Sequence, residues 1–517
     1  MDLTLTLSSA PPPNPLDLPE ILTRVGQFLP LWTGEGYNRE FHPLPLLRCS
    51  LVSRTWRETL LPILWFVYDG FRIRNVPAQV LAKYSHLFRI ISNTGSFKGP
   101  FHCRNLIELF TVYGQEWSRE LLVKNPGLKR LVWGGPYHCR IETLEQQQEL
   151  ELELKALMGL ENLDALKTFG FSLGEGLFVK MLRNNANRLS NLALSTVEGV
   201  TSIEGLELPF LTELHIAFGG TESPALVDLV CCCPRLQRLS LTGSKSNALP
   251  LGSIITNIDT TIANSVQKGF QIEKLAHNLA QCCPELSAIK FTSNNTSTTQ
   301  SRCFLDDSQC ATLVNASRRL ESFSVDMVAL DFTLTEALIG QRQSLKTLTL
   351  SFHNSDVEVQ QAKIDHLREI HCVRRLKASL VRLTELTLAW DRDYLAPSAL
   401  AAMADNNSTQ SAFGFQEEIT AFLDDPWGCL DLRTLNLNGI PVSVPIANVP
   451  STSSAHPSET LLSSTTAGWR GIKLSTDINT DINATEAEMA QNLLLLNVAP
   501  LTKLRSLNLN QATYERT

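Results

Sequence analysis

One short phrase recurs along this chain and limits what it can become. An apolar residue is followed by two variable residues, a second apolar residue, one variable residue and a third apolar residue. Clear copies are Leu189-Leu192-Leu194, Leu211-Leu214-Ile216, Leu236-Leu239-Leu241, Leu286-Ile289-Phe291, Leu320-Phe323-Val325, Leu345-Leu348-Leu350, Leu383-Leu386-Leu388, Leu432-Leu435-Leu437 and Leu504-Leu507-Leu509. Fainter copies are Leu106-Leu109, Leu128-Leu131-Trp133 and Leu166-Phe169-Phe171. The starts lie 22 residues apart from Leu189 to Leu211, and 25 apart from Leu211 to Leu236 and from Leu320 to Leu345. The gap from Leu236 to Leu286 is 50 residues, which reads as two units with one copy degraded. Alternate residues of a strand point to opposite faces, so each phrase is a short strand with an apolar inner side. One unit cannot bury that side alone, but stacked neighbours can. A length of 517 residues would otherwise suggest roughly three domains; the repeat replaces them with one long solenoid.

The stretches ahead of several strands read as helical returns. Leu226, Leu229 and Val230 stand at helical spacing before Cys233-Pro234. Ile272, Leu275 and Leu279 do the same before Cys283-Pro284, and a third return ends at Asn125-Pro126. Proline stops a helix because its ring clashes and its N–H is missing. Strand plus helical return makes an α/β fold, and a period of about 20–29 residues is that of leucine-rich repeats. The phrase Cys-Pro-x-Leu-x-x-Leu resembles the cysteine-containing class of these repeats found in F-box proteins. The asparagine or cysteine usual just after the strand is replaced by Ser244, His353 and Ile440. An irregular arc of parallel strands is therefore expected over 101–517. Within it, residues 441–468 are rich in Pro, Ser and Thr and read as a disordered insertion. Residues 292–301 and 404–414 read as surface loops. A helix with an acidic face is expected after Glu145.

Ahead of the repeats the sequence changes character. Residues 1–15 form a proline-rich start expected to be disordered, 16–66 a helical module, and 67–100 a transition or capping segment. In the module Leu18, Ile21, Leu22, Val25 and Leu29 fall at helical spacing. Asp17 is placed to cap that helix, with Pro19 in its first turn. Leu47, Leu51, Trp56, Leu60 and Leu61 fit one or two further short helices. By spacing alone this reads equally well as a helical cover for the solenoid end. The ordered pair Leu18-Pro19-Glu20-Ile21-Leu22 and Leu51-Val52-Ser53-Arg54-Thr55-Trp56-Arg57, with Phe28-Leu29 closing the first helix, resembles the F-box. That module docks on a Skp-type adaptor of cullin–RING ubiquitin ligases. Its succession by leucine-rich repeats resembles the F-box/leucine-rich-repeat substrate receptors, a group expanded in fungi.

The resemblance implies an adaptor contact drawn from Leu18, Pro19, Ile21, Leu22, Val25, Leu29, Leu51, Val52 and Trp56, shared with the module's own core. It departs from the F-box pattern at Pro30 to Pro45, longer than the usual turn between the first two helices. It further implies a non-enzymatic substrate-recognition subunit in the cytoplasm or nucleus, holding a cullin through the adaptor and a protein target through the repeats. Two other readings stay open: a leucine-rich-repeat scaffold with no link to ubiquitin, and an enzyme on a repeat scaffold.

Charge and composition narrow the field. With 45 Lys+Arg against 52 Asp+Glu the net charge is -7, which argues against nucleic-acid or polybasic membrane partners. The longest apolar run, Leu60 to Tyr68, contains Pro62 and is far shorter than the roughly 20 residues of a spanning helix. Met1-Asp2-Leu3-Thr4 lacks the basic flank of a secretion signal. The 12 cysteines are too sparse for a disulfide scaffold and are expected to stay reduced. Cys231-Cys232-Cys233 and Cys282-Cys283 are adjacent runs without zinc-ligand spacing, so packing at helix ends is their expected role. No catalytic motif is visible, and no cofactor or metal is expected. Residues flanking the inward leucines face the concave side, where His215, Arg238, Lys290 and Glu385 are candidate target contacts, with Trp390 and Asp391 as exposed-edge candidates beside them.

Overall fold

Burial follows the repeat. Leu189, Leu192 and Leu194 are fully enclosed, as are their counterparts down to Leu504 and Leu507. The computed structural model describes residues 18–29, 31–33, 40–70, 75–93, 102–114, 116–134, 143–172, 175–198, 202–218, 225–243, 272–293, 307–327, 330–352, 359–390, 427–438, 469–471, 501, 503–509 and 512–516. They belong to two compact units, one of Met1–Ser172 with Gly176–Leu189, the other of Leu173–Glu175 with Ser190–Thr517.

The first unit opens with three helices, α1 (Pro19–Phe28), α2 (Leu44–Ser50) and α3 (Arg54–Leu64). Between α1 and α2 the strands β1 (Trp32–Thr33) and β2 (Glu40–Phe41) pair antiparallel. Then come β3 (Val67–Asp69), β4 (Ile90–Asn93), β5 (Glu108–Val112), β6 (Arg130–Gly134) and β7 (Ala165–Ser172). Each is parallel to the next. The returns include α4 (Ala78–Tyr84), α5 (Glu116–Lys124) and α6 (Leu144–Met158). Thr143 and Gln146 form a reciprocal capping box at the start of α6, which satisfies N–H groups the helix cannot. The stretch 67–100 thus supplies two strands of the sheet. Their inward residues are Tyr68 and Ile91 rather than leucines, which hides them in the sequence.

In the second unit the parallel strands are β8 (Asn191–Glu198), β9 (Glu213–Phe218), β10 (Arg238–Gly243), β11 (Ala288–Ser293), β12 (Ser322–Met327), β13 (Thr347–Phe352), β14 (Glu385–Trp390), β15 (Thr434–Asn438) and β17 (Ser506–Leu509). β18 (Ala512–Arg516) turns antiparallel on β17, and β16 (Trp469–Gly471) pairs with β18. Helices precede most of these strands and end just before the expected prolines, as Ile272–Cys282 does before Pro284. Parallel strands joined by helical returns, with one leucine ladder enclosed, make an α/β leucine-rich-repeat architecture.

Two details of the repeat count differ from expectation. β10 pairs with β11 residue for residue, from Arg238↔Ala288 to Gly243↔Ser293. No degraded strand stands between them; the gap is one unit enlarged by an insertion. The copy near residue 166 is also shifted. Leu131 pairs with Leu166, and the buried set is Leu163, Leu166 and Thr168. Threonine in the third apolar seat conceals that copy, and Leu166 with the neighbouring phenylalanines mimics it three residues later. The expected disorder at 1–15 and 441–468, and the loop at 404–414, lie outside the described residues.

A second repeated position emerges three or four residues ahead of the first leucine of a copy. Cys103, Asn125, Asn185, Cys233, Cys283, Ser317 and Cys429 all occupy it, and all are buried. Helix ends leave carbonyls without partners, and the side chains of Cys103, Asn125, Asn185, Cys233, Cys283 and Ser317 donate to carbonyls at or near such ends. The asparagine or cysteine usual just after the strand in such repeats, and replaced there by Ser244, His353 and Ile440, has a counterpart before the strand in six of these seven copies.

Candidate docking surfaces

Proline is tolerated at the first helical position, where no N–H is needed. α1 begins there, at Pro19, with Leu18 in the cap position and extended. Leu18 therefore takes the place expected for Asp17, and no side chain caps the helix. Leu22 is enclosed with Leu46 and Leu60. A Cβ built on Gly26 would lie 2.7 Å from Ile63 Cδ1 and 2.8 Å from Leu60 Cδ2. The glycine sets how closely α1 approaches α3.

The module's core is continuous with the first strands. Leu31, Phe41, Leu46, Leu60, Val67 and Ile90 form one buried cluster, with Leu29, Trp56 and Ile63 packed against it. The long Pro30–Pro45 stretch is therefore no idle linker, since Leu31 and Phe41 anchor it. Val67 and Ile90 share a register column with Glu108 and Arg130. Where the helices cover that column it is apolar; beyond them it carries an ion pair, Arg130–Glu108 at 3.6 Å.

The second signature segment has an equally local logic. Ser53 caps α3 by accepting a hydrogen bond from the Trp56 N–H at 3.2 Å. Trp56 is partly buried against the cluster, and Arg57 Nε donates to the Ser50 carbonyl at 3.4 Å. Serine, tryptophan and arginine at this spacing cap, pack and tie one turn.

The predicted adaptor residues divide by exposure. Leu18, Pro19, Ile21, Leu51 and Val52 are exposed, Leu51 by 69% and Val52 by 64%. Leu22 is interior, while Val25, Leu29 and Trp56 are half-buried. Three further exposed apolar side chains stand outside the predicted adaptor set: Phe28, 84% exposed, Leu44 and Leu47. Helical spacing identifies an apolar residue but not whether its face is covered, so nothing in the sequence separated them from core. Large apolar groups left exposed in this number make the module a candidate docking surface.

The second unit offers a different surface. His215, Ser240, Lys290, Ser324, Thr349, Thr387 and Asn436 stand in one register column across β9 to β15. Glu213, Arg238, Ala288, Ser322, Thr347, Glu385 and Thr434 form the adjacent one. Many of these groups hold one another. His215 Nδ1 lies 2.8 Å from Ser240 Oγ, and Asn436 Nδ2 donates to Thr387 Oγ1 at 3.0 Å. Arg238 pairs with Glu213, which also accepts from Asn191 Nδ2 at 2.6 Å. Thr347 Oγ1 donates to Glu385 at 3.4 Å, and Lys290 is exposed. An exposed ion pair such as Arg238–Glu213 adds little stability, but it fixes both side chains on the face. The structure thus places four predicted target residues, His215, Arg238, Lys290 and Glu385, on this face. The backbone of Trp390 pairs with Phe352 at the end of β14; the Trp390 side chain and Asp391 lie outside the described residues.

Among the described residues no group of three or more His, Cys, Asp or Glu side chains is arranged to hold a metal. No described helix is long and apolar enough to cross a membrane.

No family model matches the chain, and no curated protein matches it. Among solved structures it is similar to that of a TLR13–ssRNA13 complex, at 16% identity and a TM-score of 0.29, over 60% of this chain and 41% of that one. It is also similar to the Rad7–Elc1 complex of yeast, at 13% identity and a TM-score of 0.28, over 67% of this chain and 82% of that one. The chain thus spans about two fifths of the length of the TLR13 chain. Strand register, burial and helical returns, rather than these likenesses, establish the leucine-rich-repeat architecture.

Proposed function

We propose that this protein is the substrate-recognition subunit of a Skp–cullin–F-box ubiquitin ligase. The helical module docks a Skp-type adaptor, and the polar sheet face of the repeats binds a target protein. One observation carries the reading. Of the nine residues that the F-box resemblance assigns to the adaptor, five, Leu18, Pro19, Ile21, Leu51 and Val52, are left exposed and three, Val25, Leu29 and Trp56, are half-buried, while the ninth, Leu22, closes the core with Leu46 and Leu60. A simple cover for the solenoid would bury its apolar side chains against the repeats instead of turning them to solvent. The target side rests on hydrogen-bonding groups held in register, a surface that can select a partner by geometry. The chain contributes proximity, and the ubiquitin chemistry belongs to its partners.

The test is binding of the purified full chain to a purified Skp-type adaptor. Loss of two apolar anchors removes about 2–3 kcal/mol, or about 30- to 150-fold in affinity. The Leu18→Ala/Pro19→Ala variant is expected to show that loss with an unchanged unfolding midpoint. Failure of the intact chain to bind the adaptor rejects the ligase reading and favours a repeat scaffold.

A further inference from the structure

Five thiols gather where two return helices of the second unit end side by side. Cys233 and Cys283 are buried and already engaged. Cys233 Sγ donates to the Leu229 carbonyl at 3.1 Å, and Cys283 Sγ to the Val230 carbonyl at 3.3 Å. Cys232 turns back along its own helix, toward the Asp228 carbonyl. The remaining two face each other. Cys282 Sγ lies 3.0 Å from Cys231 Sγ, with Cys231 exposed and Cys282 half-buried. They stand 51 positions apart in the chain, on the helical segments ahead of the neighbouring strands β10 and β11.

We propose that Cys231 and Cys282 form a reversible disulfide that clasps two adjacent repeats when the protein meets a disulfide oxidant of the glutathione class. One thiol loses its proton, attacks a sulfur of the oxidant and breaks its S–S bond. One oxidant thiol leaves and a mixed disulfide remains on the protein. The facing thiol, deprotonated in turn, attacks the protein sulfur of that bond. The Cys231–Cys282 bond forms and the second oxidant thiol leaves. Two protein thiols are oxidised, and one oxidant disulfide is reduced to two thiols. The second step is intramolecular between sulfurs already in contact, so the protein disulfide wins over the mixed one.

The surroundings set the rate. Desolvation, with the Cys282 sulfur alongside, pushes the Cys231 thiol well above the ordinary range. The thiolate is the attacking species, so closure is slow at neutral pH and faster in mild alkali. Once closed, the bond ties two repeats that otherwise hold each other by nearest-neighbour packing. This inference does not depend on the adaptor reading.

The full-length protein is incubated with glutathione disulfide, alkylated under denaturing conditions and digested. The expected result is loss of two alkylatable thiols, a peptide linking Cys231 to Cys282, and an unfolding midpoint that rises and returns on adding dithiothreitol. Cys231→Ser, a change at an exposed position, is expected to leave Cys282 as a mixed glutathione disulfide and to abolish the midpoint shift. Both thiols remaining alkylatable would overturn the proposal. So would stable mixed disulfides in the unsubstituted protein, or a link from Cys231 to any cysteine other than Cys282.

Discussion

Asn125 and Asn185 in the first unit hold the place that Cys233 and Cys283 hold in the second, at the end of a return helix and just ahead of the next inward leucine. The asparagines make three bonds each. Asn185 Nδ2 donates to the carbonyls of Leu160 at 2.8 Å and Met181 at 3.0 Å, and its Oδ1 accepts from the Leu163 N–H at 2.9 Å. Asn125 repeats this with Cys103, Leu121 and Leu106. Cys283 reaches carbonyls only, those of Val230 and, at 3.7 Å, Cys233. A thiol is a weak donor and behaves mainly as a small apolar group. One seat is therefore a polar rivet in the first unit and a packing plug in the second.

Breaking a rivet gives the largest effect. Asn185→Ala leaves one buried N–H and two carbonyls short of a partner, each costing about 1–3 kcal/mol when unmet. A loss of about 3 kcal/mol is expected, read as a lower urea midpoint at unchanged slope. Asn185→Cys tests the comparison directly. It fills the volume without serving the Leu163 N–H, so it is expected to recover only a minor part of the loss. Full recovery would show that the seat needs volume rather than bonds.

Emptying a plug costs less. Cys283→Ala removes one sulfur from a packed site and a weak hydrogen bond, an expected loss of about 1–1.5 kcal/mol. If hydrogen exchange in the helix Ile272–Cys282 responds as strongly as exchange in Glu116–Lys124 does to Asn125→Ala, the two seats are equivalent and the comparison fails.

These seats also show what a sequence discloses. The leucine ladder is legible because its spacing and its burial have the same cause. Cys-Pro and Asn-Pro were legible as helix stops. Their side chains' bonds to the preceding repeat were not, because such bonds join residues that no local spacing relates. Thr168 hid its copy by filling an apolar seat with a shape-similar polar residue. The insertion between β10 and β11 passed for a lost strand because length does not distinguish the two. On the helical module the signature residues were legible, but the exposure of Phe28, Leu44 and Leu47 depended on where α3 and the β1–β2 hairpin lay.

The smallest expected effect sharpens the contrast most. The first unit carries its polar ties into the interior at Glu153 of α6, which accepts from Trp133 Nε1 at 2.8 Å and Ser118 Oγ at 2.9 Å. The sequence expected an acidic helix face in solvent, yet Glu153 is buried. Burial raises its pKa above the ordinary carboxyl value, opposed by the Trp133 and Ser118 donors and the Gly114 N–H. The folded state therefore keeps this proton to higher pH than the unfolded chain, whose carboxyl titrates near 4.3. Unfolding free energy attributable to this group rises as pH falls through the folded pKa toward the unfolded one, and the full penalty of the buried charge stands above both. Glu153→Gln removes the titration. Its absolute effect also includes an amide NH₂ facing the Gly114 N–H, so the slope is the diagnostic quantity. Subtracting the variant's urea stability from that of the unsubstituted protein across pH 4–8 should give a difference that moves in favour of glutamate on acidification. A difference that moves the other way would mean that the three donors outweigh burial, and that Glu153 stabilises the first unit as an anion.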